Sequence, residues 1–332
     1  MAGKKIGLQS IAYNNPPQIA SWASIVGPME GKGPFGSQFD WVMEDYLFGT
    51  RSYEEAEGKM LKEALRLAAH KQGLQEREIE VVLAGDFLNQ SQASNYAGRE
   101  LSRPFLGIYG ACTTLVEGMI LAGMLIDGSF YDCVAVGAVS HYHTAERQLR
   151  LPIELGGGKL ASAQWPVTGA GAVILQRLRD QPRITVATIG RVVEGERPGV
   201  SDLGAAVASA AADTLITHFK DLGRGPDYYD LIVTGDLGKL GSALMEELCL
   251  VAGYYLGEKY TDCGIEIYDK EQNILAGGRG CGSLAAMACG PYLNNLTAGK
   301  MRRFLLVGTG AMMVEQGGSI PGIAHAVAIE TG

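Results

Sequence analysis

The chain has 332 residues, 47% of them hydrophobic and 19% charged, with a net charge of −8. This composition fits a globular protein with one large or two ordinary cores and excludes a disordered one. No Lys/Arg-rich stripe runs through it, so nucleic acid is excluded as a partner, whereas a small anion in a locally cationic pocket is not.

In chain order, the stretch from Met1 to Tyr13 carries Lys4 and Lys5 and then a broken apolar run, unlike the continuous apolar region of a secretory leader. Lys5 to Ala12 reads as a strand. Ser52 opens an amphipathic helix over 53–73, with Met60, Ala64 and Ala68 on one face. Val81 to Ala84 is a strand ending in Gly85-Asp86. Cys112 follows Gly110-Ala111 and leads through Thr113-Thr114 into an apolar helix. That helix, Leu115 to Ile126, falls short of the roughly 20 residues of a membrane span and contains Glu117. A strand, "YDCVAVGA", comes next.

The second half repeats this order. Arg183 to Val193 is strand-like. Ser201-Asp202 caps a helix with Val207, Ala211, Leu215 and Phe219 on its face, and Leu231 to Thr234 is a strand ending in Gly235-Asp236. "GGRGCGSLAAMACGPYLNNLTAG" passes from small residues and Cys281 into a helix, as "GIYGACTTLVEGMILAGMLIDG" does around Cys112, and "RRFLLVGTGA" supplies the closing strand. Repetition in the same order predicts an internal duplication. Residues 1–178 and 179–332 are expected to be two similar βαβ-containing halves related by a pseudo-two-fold, with Cys112 and Cys281 at equivalent turns facing a shared cleft.

The candidate chemistry gathers at these turns. A cysteine at a helix N-terminus meets the positive end of the helix dipole, which lowers a thiol pKa and favours a bound anion; the alternative is a buried, inert thiol. Asp86 and Asn89 follow the C-terminal end of a strand, where open α/β sheets bind ligands, or else they form a turn and helix cap. His141 and His143, with Arg147 and Arg150 shortly after, supply donors to a carboxylate, or lie in an exposed polar loop. Arg279 stands beside the second turn, where it can pair with a surface acid. Trp165 reads as core or interface. The six cysteines lack CxxC spacing and the five histidines lack a ligand pattern, so reduced thiols, no metal and no cofactor are expected.

"GIYGACTTLVEGMILA", the duplicated halves and the "LLVGTGAMM" ending resemble the thiolase-like superfamily, and within it the type III β-ketoacyl carrier-protein synthases. The resemblance implies an α/β fold layered α-β-α-β-α, with Cys112 at the position of the acyl-accepting nucleophile. It also implies a two-fold homodimer, expected across the strand near Tyr131 to Val136. The family's catalytic histidine falls in a stretch that here reads Gly235-Asp236-Leu237-Gly238. Its catalytic asparagine falls in a turn that here reads Gly280-Cys281-Gly282-Ser283. Without those two groups the resemblance implies a binding protein, the alternative being an acyl-transferring enzyme that uses Cys112.

Four longer segments, "SWASIVGPMEGKGPFG", "AGDFLNQSQASNYAGREL", "VSHYHTAERQLRLPIELGGG" and "GGRGCGSLAAM", are similar to a bacterial sporulation branch of the superfamily. That similarity implies dipicolinic acid, a flat aromatic dicarboxylate, as the ligand. It further implies a cytoplasmic-type protein held at the spore inner membrane by membrane-embedded channel subunits. The expected ligand set is Asp86, Asn89, Cys112, His141, His143, Arg147 and Cys281, with calcium as a bridge where Asp86 would otherwise repel the ligand.

Overall fold

Period-two alternation decides the layers. In the run Val81 to Ala84, Val81 and Leu83 join one core while Val82 and Ala84 join another; in the run 304–307, Phe304 and Leu306 share the core of the first pair, and Leu305 and Val307 enter a third. Strands apolar on both faces have to be covered on both, which produces a layered α/β arrangement. The computed structural model describes residues 4–149, 163–195, 203–311 and 320–331.

The described strands of the first part are β1 (Lys5–Ile6), β2 (Ser10–Ala12), β3 (Gln18–Val26), β4 (Trp41–Val42), β5 (Val81–Asp86), β6 (Phe105–Gly107) and β7 (Cys133–Ser140). Its helices are α1 (Tyr53–Lys71), α2 (Gln92–Leu101), α3 (Thr114–Asp127) and α4 (Tyr142–Leu149). There follow β8 (Trp165–Pro166), β9 (Gly169–Gln176), β10 (Arg183–Ile189), α5 (Leu203–Leu222), β11 (Leu231–Thr234), α6 (Gly238–Val251), β12 (Tyr260–Asp262) and α7 (Cys263–Glu266). The last are β13 (Gly278–Arg279), α8 (Cys281–Met287), α9 (Leu293–Thr297), β14 (Arg303–Ala311) and β15 (Gly322–Glu330).

The predicted elements map closely onto these. Ser52 caps α1 by accepting the Glu55 N–H, and Met60, Ala64 and Ala68 are buried; so are Val207, Ala211, Leu215 and Phe219 on α5. The run Lys5 to Ala12 is a hairpin of two short strands rather than one, and the long strand β3 has no counterpart among the predicted elements. The Ser201-Asp202 cap, Arg150 and the Met312-Met313 ending lie outside the described residues.

Strand order is β12-β11-β14-β15-β10-β3-β9-β7-β5-β6, and it reads alike from both ends. β5 pairs in parallel with β6 and β7, and β9 lies antiparallel between β7 and β3. In the same way β11 pairs in parallel with β12 and β14, and β15 lies antiparallel between β14 and β10. The middle core is formed by α3 and the 281–296 helical stretch, with one face of each set of strands. α1 and α2 cover the outer face of one set, and α5 and α6 the outer face of the other.

The expected dimer strand requires correction. β7 has no open edge: β5 is bonded along one side and β9 along the other, while its two faces, Val134, Val136 and Ala138 on one and Cys133, Ala135 and Val139 on the other, are buried in two different cores. The edge of this set is β6, whose Leu106 is 49% exposed.

Candidate functional site

The two repeated turns meet between the halves. Each turn forces the residue before its cysteine to positive φ, +50° at Ala111 and +103° at Gly280. Only glycine tolerates the second value, and a Cβ there would lie 2.9 Å from Ser140 Oγ. The first turn is tied down by Thr113 and Thr114, whose hydroxyls donate to the carbonyls of Gly110 (2.7 Å) and Ala111 (2.6 Å). It rests directly on β14: a Cβ on Gly308 would meet Thr113 Cα at 2.9 Å.

Asp236, just after β11, reaches this junction. Its carboxylate accepts from the Gly280 N–H (3.0 Å), from the Thr309 hydroxyl (2.7 Å) and from the Cys112 thiol. The loop carrying it is held by Asp262, which accepts from Thr234 Oγ1, Leu237 N and Gly238 N. Cys281 donates its thiol to the Ala111 carbonyl at 3.0 Å and contacts Cys112. The contact with Cys281, then burial, then the Asp236 charge push the Cys112 thiol well above its ordinary value. This reverses the expectation of a lowered pKa: two neighbours that favour the protonated form outweigh the helix end.

A cavity of about 540 Å³ opens onto Cys112. Its wall includes Phe87, Tyr109 and Glu117 from the first half and Asp236, Arg279 and His325 from the second. Gln148 and Gln164 also line it, but their amides are engaged: Gln148 holds Asn89 N and Phe87 O, and Gln164 holds Asp236 O and Gly204 N. Burial drives His325 down to about 4, and its Nδ1 accepts the Gly190 N–H. The neutral ring therefore keeps its proton on Nε2. Arg279 is the one cationic side chain among the described lining residues, and it lies 3.9 Å from Glu146. Burial raises the Glu117 carboxyl.

Of the seven residues expected to form the site, the cavity gathers Asn89 and Cys112, with Cys281 behind Cys112. Asp86 is fully buried and caps the start of α2, accepting Leu88 N at 2.8 Å and Ser94 N at 2.6 Å. His141 is buried against the Tyr46 carbonyl (2.8 Å), and burial lowers it to about 4. His143 stacks on Tyr53 with ring centroids 4.0 Å apart, and Arg147 pairs with Glu54 at 2.5 Å. These four are absent from the described cavity lining: Asp86 is spent on Leu88 N and Ser94 N, His141 on Tyr46, and α4 turns His143 and Arg147 toward Tyr53 and Glu54 of α1 while presenting Gln148 to the cavity. Trp165 stacks on Tyr142, in keeping with a packing role. Tyr109 and His325 had no sequence signal: His325 sits in the alternating strand β15, opposite Gly308, and only that pairing brings it to the turn.

The overall arrangement is that of the thiolase-like condensing enzymes. A variant of Xanthomonas campestris OleA superposes with a TM-score of 0.62 at 15% identity, covering 96% of this chain and 99% of that one. 3-Oxoacyl-[acyl-carrier-protein] synthase III from Aquifex aeolicus superposes with a TM-score of 0.59 at 14% identity, covering 95% and 99%. These similarities establish the fold. Sequence narrows it further: residues 7–330 match the family described as Stage V sporulation protein AD (SpoVAD), to which this chain belongs. The Stage V sporulation protein AD of Bacillus subtilis strain 168 is 40% identical over 331 residues, 98% of each chain. No helix among the described residues is long and apolar enough to cross a membrane.

Proposed function

We propose that this chain is a non-catalytic protein that binds dipicolinic acid in the Cys112 cavity. It would serve as the peripheral member of a spore inner-membrane channel, alongside membrane-embedded subunits, in uptake during sporulation and release in germination. The observation that carries this reading is Asp236. It stands in the stretch where the resemblance puts the family's base, and its carboxylate accepts the Cys112 S–H, which supports a protonated thiol at the cavity rather than a nucleophile. Arg279 supplies the cation for one ligand carboxylate, and the Tyr109 hydroxyl, the Asn89 amide and the His325 Nε2–H are donors within the same cavity. Glu117 and Asp236 add negative charge to the wall, which favours a ligand whose own charge is offset by calcium.

Calorimetric titration with dipicolinate, with and without calcium, tests this. Arg279→Ala is expected to lose about 10- to 100-fold in affinity, whereas Arg147→Ala, outside the cavity, binds as the parent does. Absence of binding by the parent, or equal affinity in Arg279→Ala, refutes the assignment. The edge strand β6, with Phe105, Leu106 and the nearby exposed Tyr109, supports a two-fold homodimer that continues the sheet across the pair.

The alternative, acyl transfer through Cys112, draws on the fold's likeness to an OleA variant with bound lauric acid and lauroyl-CoA. It requires an acyl adduct on Cys112 after incubation with acyl-CoA, seen by mass spectrometry.

A further inference from the structure

Two thiols from the two repeated turns meet at the cavity wall, and the binding role uses them only as a surface. Cys281 Sγ lies 3.0 Å from the carbonyl oxygen of Ala111, the residue before Cys112, which makes the two thiols neighbours. Each cysteine follows a residue held at positive φ, so the backbone positions from which the two thiols project are set by the turns. Cys112 lines the cavity and so is within reach of a small oxidant. Cys133, Cys249, Cys263 and Cys289 are buried and lie outside its described lining. We infer that Cys112 and Cys281 form a closable dithiol: hydrogen peroxide entering the cavity converts them to a disulfide that staples the turn of one half to the turn of the other.

The chemistry balances within the pair and its oxidant. One thiol, as its thiolate, attacks a peroxide oxygen; the O–O bond breaks, a sulfenic acid forms and hydroxide leaves, to be protonated to water. The second thiol attacks the sulfenic sulfur, forming the S–S bond and releasing a second water. Two electrons pass from the sulfurs to the peroxide, and both thiol protons end in water. Because its neighbours keep Cys112 protonated, closure is slow near neutrality and accelerates about tenfold per pH unit on the alkaline side. The pair needs no bound ligand, so its fate is independent of the dipicolinate reading.

The test exposes the full chain to hydrogen peroxide under native conditions, alkylates the remaining thiols in denaturant and maps the peptides by mass spectrometry. The expected result is a Cys112–Cys281 cross-linked peptide, lighter by two hydrogen atoms, with the other four cysteines still alkylated and full reversal by dithiothreitol. In Cys281→Ser, Cys112 should instead stop as a sulfenic acid that dimedone traps. Over-oxidation of Cys112 in the parent without any cross-link overturns the inference, as do cross-links to the other cysteines in equal yield. Mapping the parent decides the matter even if the variant fails to fold, provided the parent's circular dichroism stays native during oxidation.

Discussion

Asp236→Asn isolates the group that holds Cys112 as a thiol. The carboxylate accepts from Gly280 N–H, Thr309 Oγ1 and the Cys112 thiol. An amide fits the same space: its oxygen can keep the Gly280 N–H, while its NH₂ donates to Thr309, whose hydroxyl can accept as well as donate. Folding is therefore retained, at a cost of about 1 kcal/mol or less, close to that of one exchanged hydrogen bond. The thiol responds more strongly. A unit charge about 4 Å from a thiolate is worth roughly 4 kcal/mol at an effective dielectric constant near 20, which sets an upper bound.

The larger push from Cys281 and burial remains after the substitution, so removing the Asp236 charge lowers the thiol pKa by only part of that interaction. At about pH 8, where the thiol is mostly protonated in both proteins, the thiolate fraction and the iodoacetamide alkylation rate of Cys112 should rise about 10- to 100-fold. The rate is read by quenched mass spectrometry of the Cys112 peptide, with Cys249 as the buried control. An unchanged or slower rate in a variant with native melting behaviour would refute the assignment of Asp236 as the group that disarms the cysteine.

Other outcomes follow from the same geometry. Leu106→Arg on the β6 edge should convert the proposed dimer to monomer in multi-angle light scattering, while Val136→Ala on interior β7 should leave assembly unchanged; the reverse pattern would restore the original strand assignment. Asp86→Asn removes one of two charge-assisted hydrogen bonds, from Leu88 N or from Ser94 N of α2, and should lower stability by about 1–3 kcal/mol, leaving dipicolinate affinity and its calcium response as in the parent. Glu30 is fully buried and raised to about 7 by burial, against hydrogen bonds from Tyr268 and Thr168. Its folded-state pKa exceeds the unfolded value of 4.5, so this group's stability is full below that value and is lost as pH rises to about 7. The loss is about 3 kcal/mol at most. Urea unfolding of Glu30→Gln at both ends of that window should show a flatter pH dependence than the parent, and equal slopes would exclude Glu30 as the source.

The sequence alone determined the duplicated order of elements, because period-two and helical apolar patterns are local. Met60, Ala64 and Ala68 mark the buried face of α1, and Leu231 to Thr234 marks β11, without any knowledge of neighbours. The two cysteine turns were legible for the same reason: small residues next to an apolar helix are a contiguous signal. Tertiary structure decided what surrounds them. Whether Asp86 faces a ligand or caps a helix depends on where Ser94 folds back, and both satisfy the same local pattern. His141, His143 and Arg147 lie close in sequence to the cavity's Gln148, but the rotation of α4 sets which face meets α1. His325 reaches the Cys112 turn only through the antiparallel register of β14 and β15. The state of Cys112 belongs to the same category. A helix end favours a thiolate, but Cys281, burial and Asp236 favour the thiol and outweigh it, and the two residues come from 169 and 124 positions further along the chain.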